Sequence, residues 1–364
     1  MSAASAVAGR MPSGVRSRLN EIVSQLAAAA GLIVVCIALA IASPYFLTSN
    51  NLFNVCVQIA VVAILAVGQT MVILTAGIDL SVGSVAGLSG VVGCMAMSNW
   101  GMPMILGIVV GVLIGAGAGV VNGGLVTRAG LPPFIATLGM MGVARGLTFI
   151  VSGAVAIYGL PGSFRNVGEG QIGPIPLPLL YLIVIAIAGH MVLSRTRLGR
   201  YTYAIGSNKD AARLSGIPIN KVLVSVYVIS GALAGLGGMI AASRVHSGQP
   251  NYGVGLELDV IAACVIGGSS LFGGQGTIGG TLIGAFLMGV IRDGAVLLNI
   301  TQYYQQVVIG VIIWAAVYWD QIRRRRLEGG GDDAKSSTGR FARDGDEPDR
   351  VRSGEGASDA RVGD

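Results

Sequence analysis

Long apolar stretches separated by short polar segments run along the chain from residue 27 to residue 318. A helix needs about 20 mostly apolar residues to cross a bilayer. The pattern predicts ten spans with loose borders, at 27–46, 54–75, 80–97, 103–122, 133–152, 176–194, 222–242, 258–268, 276–291 and 298–318. The stretch 258–268 is too short to cross alone, so we interpret it as part of a broken helix that continues into the glycine-rich residues after it.

The composition indicates the same class of protein. The chain is 53% hydrophobic and 12% charged, whereas an ordinary soluble domain carries about 25% charged residues. Residues 1–322 hold only 14 basic and 8 acidic side chains. Such a chain cannot cover itself with polar surface and must face lipid. We therefore predict an all-α polytopic membrane protein of about ten transmembrane helices, some of them broken.

The basic residues predict the orientation, because cytoplasmic loops are enriched in Lys and Arg. With ten spans and an inside N-terminus, all the main basic groups are cytoplasmic: Arg10, Arg16 and Arg18; Arg128; Arg195 to Lys221; and Arg323 to Arg326. We expect a cytoplasmic segment at 1–26, a transmembrane domain at 27–322 and a disordered cytoplasmic tail at 323–364. A cleaved signal peptide is the rival interpretation of the N-terminus, although its apolar run is long for one. We interpret the four consecutive arginines as a membrane-end anchor and not as a nucleic-acid site.

A weak internal repeat suggests two inverted halves of five helices each. "GIDLSVGSVAGLSG" (77–90) and "GSSLFGGQGTIGGTLIG" (268–284) are both Gly/Ser-rich breaks between apolar runs. Inverted repeats with broken helices in corresponding places are typical of transporters whose site lies at the repeat interface. Chance similarity between glycine-rich runs is the alternative. "GQGTIG" (274–279) also matches a dinucleotide fingerprint, but no βαβ unit surrounds it.

The stretch "LTAGIDLSVGS" (74–84) places a lone carboxylate, Asp79, in an apolar region. A charge at a bilayer centre costs roughly 2.5–3.5 kcal/mol on insertion scales. Gly77 and Gly83 weaken a helix here, and the backbone groups freed by a break must face protein or water. Two roles for Asp79 remain open and are compatible: it accepts backbone N–H groups as an N-cap of the following span, or it lines a transport path.

The segment "GRYTYAIGSNKDAARLSGIPINK" (199–221) is the longest strongly charged internal stretch. Ser207 or Asn208 can cap a short helix that ends at Gly216 and Pro218. A simple connector needs only a few residues, so we expect the 194–221 loop to carry a surface helix that docks a partner. A mere connector is the alternative.

Candidate chemistry of other kinds is absent from the sequence. The only lysines are Lys209, Lys221 and Lys335, and none follows a glycine, so there is no Walker A loop. Four scattered cysteines and two histidines give no metal-ligand spacing. We expect no enzymatic activity, no metal and no cofactor in this chain.

Several long stretches, in order, resemble the permeases of ribose and related sugar ABC importers. They cover roughly residues 30–320: "GQTMVILTAGIDLSVGS" (68–84), "NGGLVTRAGLPPFIATLGMMGVARG" (122–146), "SGQPNYGVGLELDVIAACVIGGSSLFGGQGTIGGTLIGA" (247–285) and "YYQQVVIGVII" (303–313). In addition, "DAA" followed by Gly216 resembles the EAA-type loop of ABC-importer permeases, with Asp210 in place of the usual Glu.

The resemblance implies a bacterial inner-membrane channel of two permease copies with two ATPase subunits, which bind ATP and Mg, and an external sugar-binding protein. It implies candidate residues of three kinds: a sugar path (Gln69, Thr70, Asp79, Ser81, Asn122), ATPase coupling (Gly206, Asp210, Ala211, Ala212, Gly216) and binding-protein docking (Arg244, His246, Gln249). The last group lies on a loop whose polar residues are alternatively just solvated. A self-sufficient transporter driven by H⁺ or Na⁺ through Asp79 is the alternative function.

Overall fold

The computed structural model describes residues 13–315, 317–318 and 321–322. The first twelve residues of the predicted segment 1–26 and the whole predicted tail 323–364 lie outside the described residues. In chain order the elements are α1 (Ser13–Ala42), α2 (Ser49–Leu74), α3 (Val82–Ser98), α4 (Met104–Thr127), α5 (Pro133–Ser152), α6 (Arg165–Glu169), β1 (Gln171–Ile172), β2 (Ile175–Pro176), α7 (Leu177–Arg195), α8 (Arg197–Ser207), α9 (Lys209–Leu214), α10 (Ile219–Arg244), α11 (Leu256–Ile266), α12 (Ile278–Leu297) and α13 (302–315).

Each of the ten predicted spans contains a helix. Within the described part of the chain, seven helices are long and apolar enough to cross a membrane: α1, α2, α4, α5, α7, α10 and α12. Two of the others are short, since α3 has 17 residues and α11 has 11, against the roughly 20 that a span needs. The prediction of an all-α polytopic membrane protein is confirmed, and α11 is the short helix expected at 258–268.

Contacts between distant residues show how the helices run between two ends of the bundle, which we call the α6 end and the α9 end. Gln25 donates a hydrogen bond to Thr277 (2.7 Å), which places the first turns of the α1 span beside the start of α12. Asn51 donates to Asp293 (2.9 Å) and joins the start of α2 to the last turns of α12. Ser98, at the end of α3, donates to the carbonyl of Tyr158 (2.6 Å) near α6. Consequently α1 runs from the α9 end to the α6 end, and α7 runs the opposite way, as inverted halves require.

The helix pairings repeat between the two halves. In the first half α3 packs on α4 and both contact α10; in the second half α11 packs on α12 and both contact α2. The two central helices, α2 and α10, also contact each other. Exchanging α1–α5 with α7, α10, α11, α12 and α13 maps these pairings onto one another. The pairings therefore agree with two five-helix halves.

The two stretches that suggested the repeat do not occupy corresponding places, so that part of the prediction is wrong. The segment at 77 follows α2, the second span, whereas the segment at 268 follows α11, the eighth. The counterpart of 75–81 is instead 245–255, between α10 and α11. Gly/Ser-rich loops resemble one another in sequence wherever they occur, because glycine and serine are common throughout this chain.

Glycine packing between α4 and α10 joins the halves. A Cβ on Gly115 would collide with the carbonyl of Gly231, and one on Gly119 with the carbonyl of Tyr227. Gly235 on α10 meets Val112 of α4 in the same way, with its Cβ position 3.0 Å from the Val112 Cα. Backbones that approach this closely are typical of small-residue interfaces between membrane helices.

Candidate functional site

The broken helices α3 and α11 begin at a point where their leading segments touch. A Cβ on Gly83 would lie 2.6 Å from the Glu257 carboxylate oxygen Oε2 and would collide with the carbonyl of Gly253. Gly253 has a φ of 81° and packs back onto the carbonyl of Gly83. Two helix N-termini, one from each half, therefore meet inside the bundle, with acidic side chains close to both. Discontinuous helices in this arrangement are typical of the binding regions of transporters.

Asp79 is enclosed at the start of α3. Its Oδ1 accepts hydrogen bonds from the backbone N–H (2.9 Å) and the hydroxyl (2.6 Å) of Ser81, and its Oδ2 accepts one from Ser230 of α10 (3.4 Å). The residue is 2% exposed. The carboxylate does accept a backbone N–H at the beginning of the following helix, as the capping interpretation expected, although it does so through a turn with Ser81 and not as the cap residue.

Three neighbouring side chains hold the same segment. The amide of Gln69, oriented with its nitrogen toward the Asp79 carbonyl and its oxygen toward the Asp79 N–H, bridges both at 3.2 and 3.1 Å. Asn122 of α4 donates to the Ser81 hydroxyl (3.0 Å), and Thr137 of α5 donates to the carbonyl of Ile78 (3.0 Å). The break at 75–81 is thus anchored to three helices, which replaces the hydrogen bonds that a continuous helix would have made.

Thr70 belongs to a different contact. Its hydroxyl bonds to the carbonyl of Ala66 and to the hydroxyl of Thr281 on α12, both at 2.7 Å. All five residues predicted to line a sugar path are buried, at 2% exposure or less: Gln69, Thr70, Asp79, Ser81 and Asn122. The structure brings four of them together and leaves Thr70 apart. A role in the path stays a prediction for each.

Two buried polar atoms beside Asp79 have no hydrogen-bond partner among the described residues. They are the Asn122 side-chain oxygen and the Tyr227 hydroxyl. Tyr227 is completely buried, and its hydroxyl lies 2.9 Å from where a Cβ on Gly77 would be. No sequence pattern singles out a tyrosine in an apolar helix, so this residue was missed.

Four charged side chains within or directly beside the predicted spans were also missed. Arg292 of α12 bonds to both carboxylate oxygens of Asp259 on α11, at 2.8 and 2.6 Å. Arg145 of α5 donates to the carbonyl of Tyr252 (2.9 Å) and lies within electrostatic range of Glu257. Both acids in the first turn of α11 therefore face an arginine from another helix. Ionisable residues within spans are functional candidates by default. Applied beyond Asp79, that rule would have found Arg145 and Asp259, whereas Glu257 and Arg292 lie one residue outside the predicted spans.

The predicted surface helix in the 194–221 loop is present as α9. Asn208 caps it by accepting the N–H of Ala211 (2.9 Å), and Gly216 follows it with a φ of 76°. Asp210, Ala211 and Gly216 are exposed, as expected. The predicted face is wrong at Ala212, whose side chain is 4% exposed and packs inward among apolar residues. Leu214, which was not predicted, is 90% exposed.

Gly206 also faces inward. It lies in the last turn of α8, where a Cβ would collide with the carbonyl of Leu74 and would lie 2.6 Å from the N–H nitrogen of Gly274. Gly206 is half-buried, and its Cβ direction points at Leu74 and Gly274, whereas Asp210 is exposed. Its place in the sequence beside the docking helix did not reveal this, because Leu74 and Gly274 are distant along the chain.

The loop predicted to meet a binding protein is partly covered. Arg244, His246 and Gln249 are each half-buried. Gly248 pairs with Ile157 through two backbone hydrogen bonds of 2.9 Å. Gly168 of α6 also donates its N–H to the hydroxyl of Ser243, near the end of α10 (2.7 Å). The loop is therefore packed into the α6 end and is not a freely solvated connector.

Comparison with protein-family models matches residues 51–317 to the family described as "Branched-chain amino acid transport system / permease component". This match covers most of the chain. The chain belongs to this permease family. The permease is accordingly a multi-pass membrane protein. It is a transport subunit and not a catalytic enzyme.

Several curated relatives of the permease are named as sugar permeases. It is 44% identical to the ribose import permease protein of Escherichia coli strain K12 over 284 residues, which is 76% of this chain and 88% of the relative. It is 39% identical to the D-allose transport system permease protein of the same strain over 290 residues, 80% and 89% of the two chains. It is 36% identical to the L-arabinose permease of Azospirillum brasilense over 315 residues, 86% and 93%. These relatives support the resemblance to sugar ABC importers. No solved structure gives a significant match.

Proposed function

We propose that the permease is the membrane channel of a bacterial ABC importer for a monosaccharide or a related polyol. The observation that carries this proposal is the similarity, at 36–44% identity over most of both chains, to permeases named for ribose, D-allose and L-arabinose. Separate ATPase subunits would supply the energy and would hold ATP and Mg. A sugar-binding protein would deliver the substrate from outside.

We place the ATPase subunits against α9. This six-residue helix presents Leu214 and the charged Lys209, Asp210 and Arg213 to the surroundings. An isolated, almost fully exposed leucine among charged residues is the pattern of an apolar anchor with a polar rim in a protein interface. The loop also carries a dense group of basic residues, which supports a cytoplasmic position for the α9 end and for both chain termini.

We place the binding protein against the α6 end. Arg165 is exposed there, as are the apolar residues Tyr158 and Ile172. Arg244, His246 and Gln249 line the same end and remain candidates for contact, although they are half-buried. A second copy of the permease would complete the channel, since two-copy assembly is what the resemblance implies.

The alternative, an ion-coupled transporter working through Asp79, gains no specific support. Both carboxylate oxygens of Asp79 are engaged by serines, and the curated relatives described above are transport-system permeases. A coupling carboxylate must exchange its ion or proton with water during transport. The enclosed position of Asp79 favours a structural role.

Uptake measurements test the proposal. We expect disruption of the gene in its host to abolish uptake of one radiolabelled sugar among ribose, D-allose and L-arabinose, and re-expression of the intact chain to restore it. The Leu214→Asp variant should fail to restore uptake while reaching the membrane at the normal level. If uptake of every sugar and polyol tested persists at the wild-type rate after disruption, the proposed substrate class is wrong.

A further inference from the structure

Three chain segments meet at the α9 end, and several of their closest contacts are between backbone atoms. They are the last turn of α8 (Gly206 and Ser207), the end of α2 with its first linker residues (74–76), and the loop 268–277 between α11 and α12. We call this contact the backbone junction.

Leu74 is the centre of the backbone junction. Its carbonyl oxygen accepts a hydrogen bond from the N–H of Gly274 (3.0 Å). The same oxygen lies so close to Gly206 that any side chain there would collide with it. Residue 206 must therefore be glycine for α8 to seat on the end of α2 without displacing it.

The loop 268–277 is fitted to both of the other segments. Gly273, at a φ of 86°, has its Cβ position 2.8 Å from the Ala76 nitrogen and 3.0 Å from the Cα of Gly206. Gly274, at a φ of 72°, has its Cβ position 2.6 Å from the Ser207 hydroxyl. The hydroxyl of Tyr203 on α8 donates to the carbonyl of Gly276 (2.7 Å).

The three segments of the backbone junction lead to the docking helix and to both broken helices. One residue, Asn208, separates α8 from the docking helix α9. The segment 75–81 leads from Leu74 to Asp79 and the broken helix α3, and the loop 268–277 follows the broken helix α11 directly. A single contact thus links the docking helix to one broken helix from each half.

We propose that the backbone junction transmits movement of α9 to both broken helices, and that Gly206 is the positioning residue of this coupling. The inference rests on the proposed function, since it needs an ATPase that moves α9. Close-packed backbone atoms cannot absorb a displacement by changing rotamers, and a tightly packed contact shifts as a unit. Gly206 would thus act through Leu74 and Gly274, and not by touching the ATPase.

The test is the number of sugar molecules transported per ATP hydrolysed, measured for the complete complex of permease, ATPase subunits and binding protein in proteoliposomes. We expect Gly206→Ala to lower this ratio by about tenfold, with ATPase subunits bound at the wild-type stoichiometry. The matched control is Gly279→Ala in the first turn of α12, at the same end of the bundle, where a Cβ meets nothing within 4 Å. That control should keep the wild-type ratio.

A milder pair of variants decides the matter if Gly206→Ala does not assemble. Tyr203→Phe removes the hydroxyl that bonds to Gly276, and we expect it to lower the ratio about threefold, in keeping with the loss of one hydrogen bond. Tyr201→Phe, on the same helix, should not change it, because the Tyr201 hydroxyl has no hydrogen-bond partner among the residues that the structure describes.

The wild-type ratio in an assembled Gly206→Ala complex would overturn the proposal. So would the wild-type ratio in Tyr203→Phe, if the first variant cannot be assembled. Failure of the proposed function itself looks different, because the wild-type permease would then show no ATP-driven uptake at all.

Discussion

Asp79 is the side chain that holds the beginning of α3 inside the bundle. It receives two hydrogen bonds from Ser81 and one from Ser230, while Gln69 engages its backbone. Because water cannot reach these groups, each loses its partner outright if the carboxylate is removed. A buried polar group without a partner costs about 1–3 kcal/mol.

Substitution at Asp79 separates a structural role from a role of the charge. Asp79→Asn keeps an oxygen for Ser81 and a polar group for Ser230, so we expect near-normal membrane accumulation and uptake. Asp79→Ala should lower the thermal unfolding midpoint and the amount of folded protein. The checks are size-exclusion profiles in detergent and sugar uptake in cells. Normal accumulation of Asp79→Asn with little uptake would contradict a purely structural role and would put the charge in the transport path.

Arg292 and Asp259 form the ion pair whose loss should cost most. The Asp259 side chain is 5% exposed, and breaking a buried pair from one side costs about 3–5 kcal/mol. We expect Arg292→Ala to destabilise strongly and the double change Arg292→Ala with Asp259→Ala to destabilise less. Arg165→Ala is the matched control: its ion pair with Glu169 is exposed, so its loss should cost less than about 1 kcal/mol. Equal shifts of the unfolding temperature for Arg292→Ala and Arg165→Ala would show that the buried ion pair contributes no more stability than the exposed one.

At the scale of the elements, the docking helix α9 shows which structural features can be predicted from the sequence. Its cap at Asn208 and its end at Gly216 were predictable, because both depend on residues next to each other in the chain. The inward turn of Ala212 and the close packing of Gly206 against Leu74 were not, because they depend on residues distant in sequence. The same limit explains the mistaken alignment of 77–90 with 268–284, since only the helix contacts identify 245–255 as the counterpart of 75–81.

The exposed leucine of α9 gives a prediction for the whole element. Burying a leucine in an interface contributes about 1.5–3 kcal/mol, so Leu214→Ser should weaken binding of the ATPase subunits by about ten- to a hundredfold. Titration of ATPase subunits onto the permease in nanodiscs measures this. Ile172→Ser, which changes an exposed aliphatic residue at the opposite end (62% exposed), is the control and should bind normally. Unchanged affinity in Leu214→Ser would move the docking surface away from this face.

At the scale of the whole molecule, the ten apolar segments and their alternating directions followed from hydropathy and charge alone. The sequence also located the break at Asp79 and the short helix at 258–268. It did not show that α3 and α11 meet at their N-termini, nor that Arg145 and Arg292 both face the first turn of α11. The contact between α3 and α11 and that of Arg145 bring together helices from both halves, whereas Arg292 and Asp259 join two helices of the same half. No local pattern in the sequence records any of them.

ATP-driven uptake by the reconstituted complex tests the central claim most directly. Proteoliposomes holding the permease and its ATPase subunits, with the binding protein outside, are loaded with ATP and Mg and given labelled sugar. We expect uptake that requires internal ATP and is unchanged by a protonophore or by sodium removal, because the energy enters through the ATPase and not through Asp79. Uptake that proceeds without ATP and collapses with the ion gradient would contradict the account and establish an ion-coupled transporter instead.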